Sequence, residues 1–247
     1  MDSRQKSRNT NVRASIAREI SKLLLRTPPD RAMMVRAIID QGISDPLVLQ
    51  AMCTVPRHLF VTEALRAQAY EDSALPIEYG DKKNDWRGRG QTISRPYVVA
   101  LMSQLLEARK GMHVLEIGTG SGYQAAVLRD MELHVHSVEH QRELHFRTCD
   151  LFLKLKYTDI CVKLGDGTQG WPEAAPFDRI IVTAGGPEIP QPLVEQLRDP
   201  GILVLPVGQS RQKQNLIRVR KQNGAVYYEH FAEVSFVELV GRYGWEP

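Results

Sequence analysis

Apolar positions along the chain change their spacing near Pro96. Before it, Ile16 to Leu25 and Met33 to Gln41 show helical spacing, and Thr27-Pro28-Pro29-Asp30 separates them with two helix-breaking prolines and Asp30 as the expected cap of the second helix. Asp45 is the expected cap of a third helix, with Pro46 in its first turn and Val48, Leu49 and Met52 as its apolar stripe before Pro56. Glu78 to Gly90 is polar and glycine-bearing and reads as a surface loop. Its Trp86 is either tucked against the body or part of a lid over a substrate. From Pro96 onward helices and strands alternate: helix Tyr97 to Ala108, strand His113 to Ile117, helix Gln124 to Met131, strand His134 to Val138, helix Arg142 to Leu155, strand Cys161 to Leu164, strand Arg179 to Thr183, a short helix Pro192 to Leu197 and strand Ile202 to Val207. Leu216 to Arg220 and Ala225 to Phe236 flank Gln222-Asn223-Gly224, and Asn-Gly favours a tight hairpin turn. The expected fold class is therefore α/β: a doubly wound, mostly parallel sheet with helices on both faces and a C-terminal antiparallel hairpin.

Composition narrows this picture without changing it. With 247 residues and 43% apolar content, the chain can bury one substantial core. The organisation expected is a basic tail and first helix over 1–30, a helical, substrate-side segment over 31–95 carrying the inserted loop 78–90, and a cofactor-binding core over 96–247. A net charge of +3 from 32 basic and 29 acidic residues is too balanced for a nucleic-acid surface. Basic character is local to the first thirteen residues, where four Arg or Lys face one Asp. No apolar run approaches the roughly 18 residues that span a bilayer, and no signal peptide opens the chain. A soluble, cytoplasmic chain without a membrane partner, and a monomer, is expected. Cys53, Cys149 and Cys161 have neither C-x-x-C spacing nor an even count, which argues against disulfides and zinc.

The chemistry begins in His113 to Tyr123, HVLEIGTGSGY, where a buried-strand pattern ends in alternating glycines. Glu116 lies two residues before Gly118; a negative charge there repels a pyrophosphate but suits a cationic or hydroxyl-rich ligand. The dinucleotide fingerprint G-x-G-x-x-G fails because position 123 is Tyr. Carboxylates recur at successive strand ends. Glu139 follows Glu116 by 23 residues, the distance at which an acid accepts hydrogen bonds from a ribose diol, and Asp166 stands between glycines after the third strand. His134, His136, His140 and His145 match no common metal spacing, so no metal is expected. His58, in an apolar stretch after Pro56-Arg57, reads as a packed, hydrogen-bonded histidine.

These segments together resemble a known family. GQTISRPYVVALM (Gly90 to Met102), VLEIGTGSGYQAAVL (Val114 to Leu128), GDGTQGWPEAAPFDRIIVTA (Gly165 to Ala184) and LVLPVG (Leu203 to Gly208) look like protein-L-isoaspartate O-methyltransferases, and the likeness extends over about residues 33 to 245. Thr92-Ile93-Ser94 is the part most particular to that family. The resemblance implies a Rossmann-like class I methyltransferase binding S-adenosyl-L-methionine through Glu116, Gly118, Gly120, Glu139, His140, Asp166 and Gly167. It also implies Ser94 as the active-site residue, and isoaspartyl proteins or peptides as substrates whose methylated carboxylate leads through a succinimide to repair. An isoaspartyl α-carboxylate is ionised at neutral pH, so its methylation needs no general base. Ser94 would position that carboxylate; read without the resemblance, it serves equally well as the cap of the helix after Pro96. Other readings of the chain are a related methyltransferase dedicated to another peptide carboxylate, or a cofactor-binding homologue without catalysis.

Four departures from the family pattern carry expectations. Most of Glu78 to Arg89 is inserted; Gly185 and Gly186 replace alanines and are expected to loosen a loop near the cofactor; Asp199-Pro200-Gly201 stands for Pro-Gly-Gly. Glu238 stands where proline is common, and a carboxylate pointing inward there is expected to repel an anionic substrate.

Overall fold

A computed structural model describes residues 18–77 and 90–246. The basic run at the start, Ile16, and the inserted loop with Trp86, apart from Gly90, lie outside the described residues. Seven strands form one sheet in the order β5-β4-β3-β6-β7-β8-β9: Cys161–Leu164, His134–Glu139, His113–Ile117, Phe177–Val182, Leu197–Val207, Gln214–Gln222 and Ala225–Val234. Strands β5 through β7 are parallel, and β8 and β9 are antiparallel, as expected. A separate two-stranded ribbon pairs β1 (Leu75–Pro76) with β2 (Thr92–Ile93).

Alternation along the strands divides the core between the two sheet faces. Val114, Val135, Ile181, Val204 and Leu216 join a cluster with helices α2 (Pro29–Asp40), α3 (Pro46–Thr54), α4 (Pro96–Leu105), α5 (Tyr123–Asp130) and α6 (Arg142–Leu155). Their neighbours Leu115, Ile180, Val182, Leu203, Leu205 and Ile217 form the other cluster with α7 (Gln191–Gln196), Trp171 and Leu239. A helix over 18–26, α1, precedes α2. The segment before Pro96 thus shares one continuous core with the sheet.

Element types agree with the sequence reading, while several ends move. Helix α2 starts at Pro29, so Asp30 sits inside its first turn and does not cap it; the capping position is Pro28. Asp45 does cap α3, accepting from the amides of Leu47 and Val48 at 2.9 and 3.3 Å. Helix α4 ends at Leu105 rather than Ala108, because the chain turns through Glu107 at φ 47°. Strand β7 begins at Leu197, five residues before the expected Ile202, which places Asp199-Pro200-Gly201 inside a strand. The Asp199 carboxylate then accepts from the amides of Asn223 and Gly224 at 2.9 and 2.7 Å. Those two residues form the hairpin turn with φ of 53° and 75°, the double positive φ that Asn-Gly tolerates.

The chain runs from β3 outward through β4 to β5, then returns to place β6 on the other side of β3. Such a reversal opens a crevice beyond the carboxyl ends of the strands.

Candidate active site

The crevice is a cleft of about 940 Å³ open to solvent. Its walls come from three places: the β2–α4 region, the loops after β3, β4, β5 and β6, and the C-terminal segment Phe236 to Val240. Of the residues singled out in the sequence, Ser94, Gly118, Gly120, Glu139, His140 and Gly167 line it; Glu116 and Asp166 do not.

The glycine loop is shaped by close approach. Gly118 has φ 94°, and a Cβ there would stand 2.6 Å from Thr183 Oγ1, which donates to Gly118 O at 2.6 Å. A side chain there would displace the Thr183 hydroxyl and would be strained at this φ. Gly120 faces open space and directs its amide to Glu139 Oε2 at 2.8 Å, while Glu139 Oε1 accepts from the Gln141 amide at 2.9 Å. Each oxygen of this buried carboxylate therefore keeps accepting capacity toward the cleft.

Glu116 differs from its sequence expectation. It is fully buried behind the loop, where Ser137 Oγ donates to its Oε2 at 2.5 Å and Thr119 Oγ1 lies 2.7 Å from Ser137 Oγ. Its Oε1 has no hydrogen-bond partner among the described residues. Burial pushes its carboxyl up to about 8, against the lowering effect of the Ser137 bond, and nearby Glu139 raises it further. Ser137 was missed in the sequence, although a serine within the strand HVHSVE, facing inward beside apolar neighbours, is the signal that could have found it.

Asp166 is occupied elsewhere. Its carboxylate accepts from the Thr168 amide and hydroxyl at 2.9 and 2.6 Å, Gln169 Nε2 at 3.0 Å and the Arg242 amide at 2.9 Å. Although partial burial works against ionisation, these donors hold it below the usual carboxylate range. It secures the β5 turn, carrying the cleft-lining Gly167, to the C-terminal segment.

Ser94 is not the cap of α4. Arg95 takes the capping position with φ −58° and ψ 146°, the extended backbone expected before proline, and its side chain makes no capping bond. The first turn is served instead by Asp72, whose Oδ1 accepts from the Tyr97 amide at 2.9 Å and whose Oδ2 lies 3.5 Å from Arg95 Nη2. Ribbon pairing of Leu75 with Ile93, and burial of Ile93, fix the backbone just before Ser94. Among the described residues the Ser94 hydroxyl has no partner, which leaves it for a ligand in the cleft.

Glu238, in the C-terminal wall, forms an ion pair with Arg211 at 2.5 Å. Gly185 and Gly186 are both hydrogen-bonded to neighbouring segments. The Gly185 amide donates to Val237 O at 2.7 Å, Gly185 O accepts from the Leu239 amide and Trp245 Nε1 at 2.9 Å each, and the Gly186 amide donates to Pro206 O at 3.2 Å. The reason for glycine is space: a Cβ on Gly185 would meet the Gln214 side chain at 2.7 Å. His58, as expected, is a bonded histidine, with Nδ1 2.6 Å from the Tyr70 hydroxyl. His113 stacks on His136 with ring centroids 6.3 Å apart and lies tilted against His134 at 4.9 Å, and among the described residues no group of three His, Cys, Asp or Glu is placed to hold a metal ion.

Comparison with known proteins places this cleft in context. The chain is 50% identical over 214 residues to protein-L-isoaspartate O-methyltransferase 1 of Syntrophobacter fumaroxidans, covering 87% of this chain and 95% of that one. It is 48% identical over 216 residues to protein-L-isoaspartate O-methyltransferase 2 of Geotalea uraniireducens, covering 87% and 94%. Among solved structures, a protein-L-isoaspartate O-methyltransferase superposes with a TM-score of 0.77 at 30% identity over 87% of this chain and 67% of that one. A protein from Plasmodium falciparum described as a putative member of the same group, in complex with S-adenosyl-L-homocysteine, shares the fold with a TM-score of 0.69 at 24% identity over 84% and 97%. The family model for protein-L-isoaspartate(D-aspartate) O-methyltransferase matches residues 30–244, and the chain belongs to that family.

Proposed function

We propose that this protein transfers a methyl group from S-adenosyl-L-methionine to the free α-carboxylate of L-isoaspartyl residues in damaged proteins and peptides, so that a succinimide can form and the chain return toward aspartate. The observation that carries this reading is the placement of Ser94, with its hydroxyl unengaged, in one cleft with the Gly118–Gly120 loop and Glu139. The cofactor, when bound, supplies a methyl group activated on a sulfonium.

The residues present fit that cofactor. Glu139 retains accepting capacity on both oxygens for a ribose diol, Gly120 leaves the space beside it open, and His140 and Gly167 complete this side of the cleft. Glu116 acts from behind the wall: its buried, half-satisfied carboxyl becomes easier to ionise when a cation enters the cleft. Asp166 supports the Gly167 wall through its turn, in place of the direct contact implied by resemblance. Ser94 donates to the substrate carboxylate and orients it, while apolar Val99, Met102 and Val138 line the same cleft and exclude water. No group here needs to remove a proton, because the attacking carboxylate is already ionised.

On this reading residues 31–95 supply the substrate side and 96–247 the cofactor side. We further infer a cytoplasmic monomer without nucleic-acid or membrane partners, supported by the balanced charge and by the absence, among the described residues, of any helix long and apolar enough to cross a membrane. Incubation with S-adenosyl-L-methionine and a synthetic isoaspartyl peptide should give a methyl ester detectable by mass spectrometry, with none on the matching aspartyl peptide. An isoaspartyl peptide that stays unmethylated defeats the assignment; methylation of both peptides alike favours a different carboxylate as the substrate.

A further inference from the structure

Glu238 brings a carboxylate into the wall of a cleft that, on the functional reading above, must accept an anionic substrate. Its side chain is only 15% exposed, so water screens its charge poorly. The answer to that charge comes from the loop between β7 and β8. Arg211 Nη1 meets Glu238 Oε2 at 2.5 Å, and the guanidinium lies over the Trp245 ring, 4.8 Å from its centroid. Trp245 in turn donates to Gly185 O at 2.9 Å, beneath the same wall.

Arg211 is held for this task by a second connection. Buried Gln214 donates through Nε2 to the carbonyls of Ser210 and Arg211 at 3.2 and 3.0 Å, and its Oε1 accepts from the Phe236 amide at 2.8 Å. One side chain thus ties the Arg211 backbone to the start of the cleft-lining segment. Glycine at 185 is what gives Gln214 room to lie there.

We propose that Arg211 is a positioning residue for the substrate carboxylate: by pairing with Glu238 it cancels the negative charge of the cleft wall, and the Glu238–Arg211 pair sets how readily anionic peptides bind beside Ser94. The proposal rests on the functional reading above and gives a role to Glu238, which departs from the family pattern. Removing Arg211 takes a cation away from the Glu238 carboxylate and leaves the wall more negative, which disfavours the anionic substrate and favours peptides bearing a cation near the isoaspartyl residue.

Isoaspartyl-peptide affinity, measured by calorimetry on protein saturated with S-adenosyl-L-homocysteine, and steady-state methylation kinetics test this together. Arg211→Ala should weaken peptide binding about tenfold and raise KM far more than it lowers kcat, with the loss shrinking as salt is added. Arg211→Lys should restore most of the affinity. Arg211→Ala combined with Glu238→Gln should bind nearly as well as the unaltered chain, which a purely structural role of Arg211 does not allow. Glu238→Gln alone should bind the peptide at least as tightly as the unaltered chain, and this variant carries the test if Arg211→Ala fails to fold. An unchanged affinity in Arg211→Ala, a double variant as weak as Arg211→Ala, or weakened binding in Glu238→Gln overturns the proposal while leaving the activity intact. An unaltered chain that methylates no isoaspartyl peptide overturns both.

Discussion

Glu116 and Ser94 owe their character to their immediate surroundings. Desolvation raises the Glu116 carboxyl to about 8, whereas in an unfolded chain it titrates near 4.5. Between those values the folded protein holds a proton that the unfolded chain has released, so stability attributable to this residue falls as pH rises from 4.5 to 8. Glu116→Gln removes that dependence. We expect the variant without ligand to be more stable than the unaltered protein at pH 8, by on the order of a few kcal/mol, with little difference near pH 5, in urea unfolding followed by circular dichroism. A variant less stable at pH 8 would show that the carboxyl is ionised in the folded state. Three strand-end acids looked alike in the sequence, yet they divide into a buried carboxyl, a cleft residue and a turn anchor. What distinguishes Glu116 from Asp166 is burial and donor count, and both depend on chain far away, such as Arg242. Ser94 was undecided between cap and site for the same reason: Asp72 takes the cap, and no local pattern announces that.

At the scale of elements, the terminal hairpin is fastened by charge as well as by its turn. Arg218 donates to both oxygens of Glu229 at 2.7 Å, Arg220 Nε donates to Glu229 Oε2 at 2.7 Å, and both arginines reach Glu107 just beyond α4. This network joins β8 and edge strand β9 to the helix that follows Ser94. The Arg218 hydrogen bond is the main cause holding the Glu229 carboxyl down at about 2. A depressed acid stabilises the fold above its unfolded value near 4.5, and the contribution is lost as pH falls toward 2. Because the Glu229 side chain is 38% exposed, screening by water keeps the expected cost of Glu229→Gln near neutral pH to about 1 kcal/mol. That cost should shrink toward pH 2 in thermal unfolding curves, and a loss that stays constant with pH would assign it to packing instead. The hairpin itself was legible, since Asn223-Gly224 admits few turns; its anchoring was not, since Glu107 and Arg220 are distant in sequence. The early start of β7 was hidden by Asp199-Pro200-Gly201, which reads locally as a break and becomes strand only because Asp199 holds the turn of the neighbouring hairpin.

For the molecule as a whole, the sheet order was implicit in the alternation of strands and helices, and the reversal between β3 and β6 then dictates where a ligand binds. Sequence alone could not show that the segment before Pro96 and the wall segment Phe236 to Val240 converge on that point, because the contacts are made across the whole chain. The convergence has a measurable consequence. On the proposed reading the cofactor-side and substrate-side walls come from separate stretches, so their functions should separate under mutation. S-adenosyl-L-homocysteine at a hundredfold excess over its Kd should raise the Tm of the unaltered protein by roughly 5–10 °C, as expected for ligand binding to a domain of this size. Ser94→Ala should show the same shift while methylating isoaspartyl peptide at least tenfold more slowly, the loss of one charge-assisted hydrogen bond to the substrate. Glu139→Ala should lose most of the shift, because it removes both the proposed ribose acceptor and the anchor of the Gly120 amide. If Ser94→Ala abolishes the thermal shift, the serine holds cofactor rather than substrate, and the two-walled division of labour is wrong. If it keeps both the shift and full activity, the carboxylate is positioned by the segment Phe236 to Val240 without it.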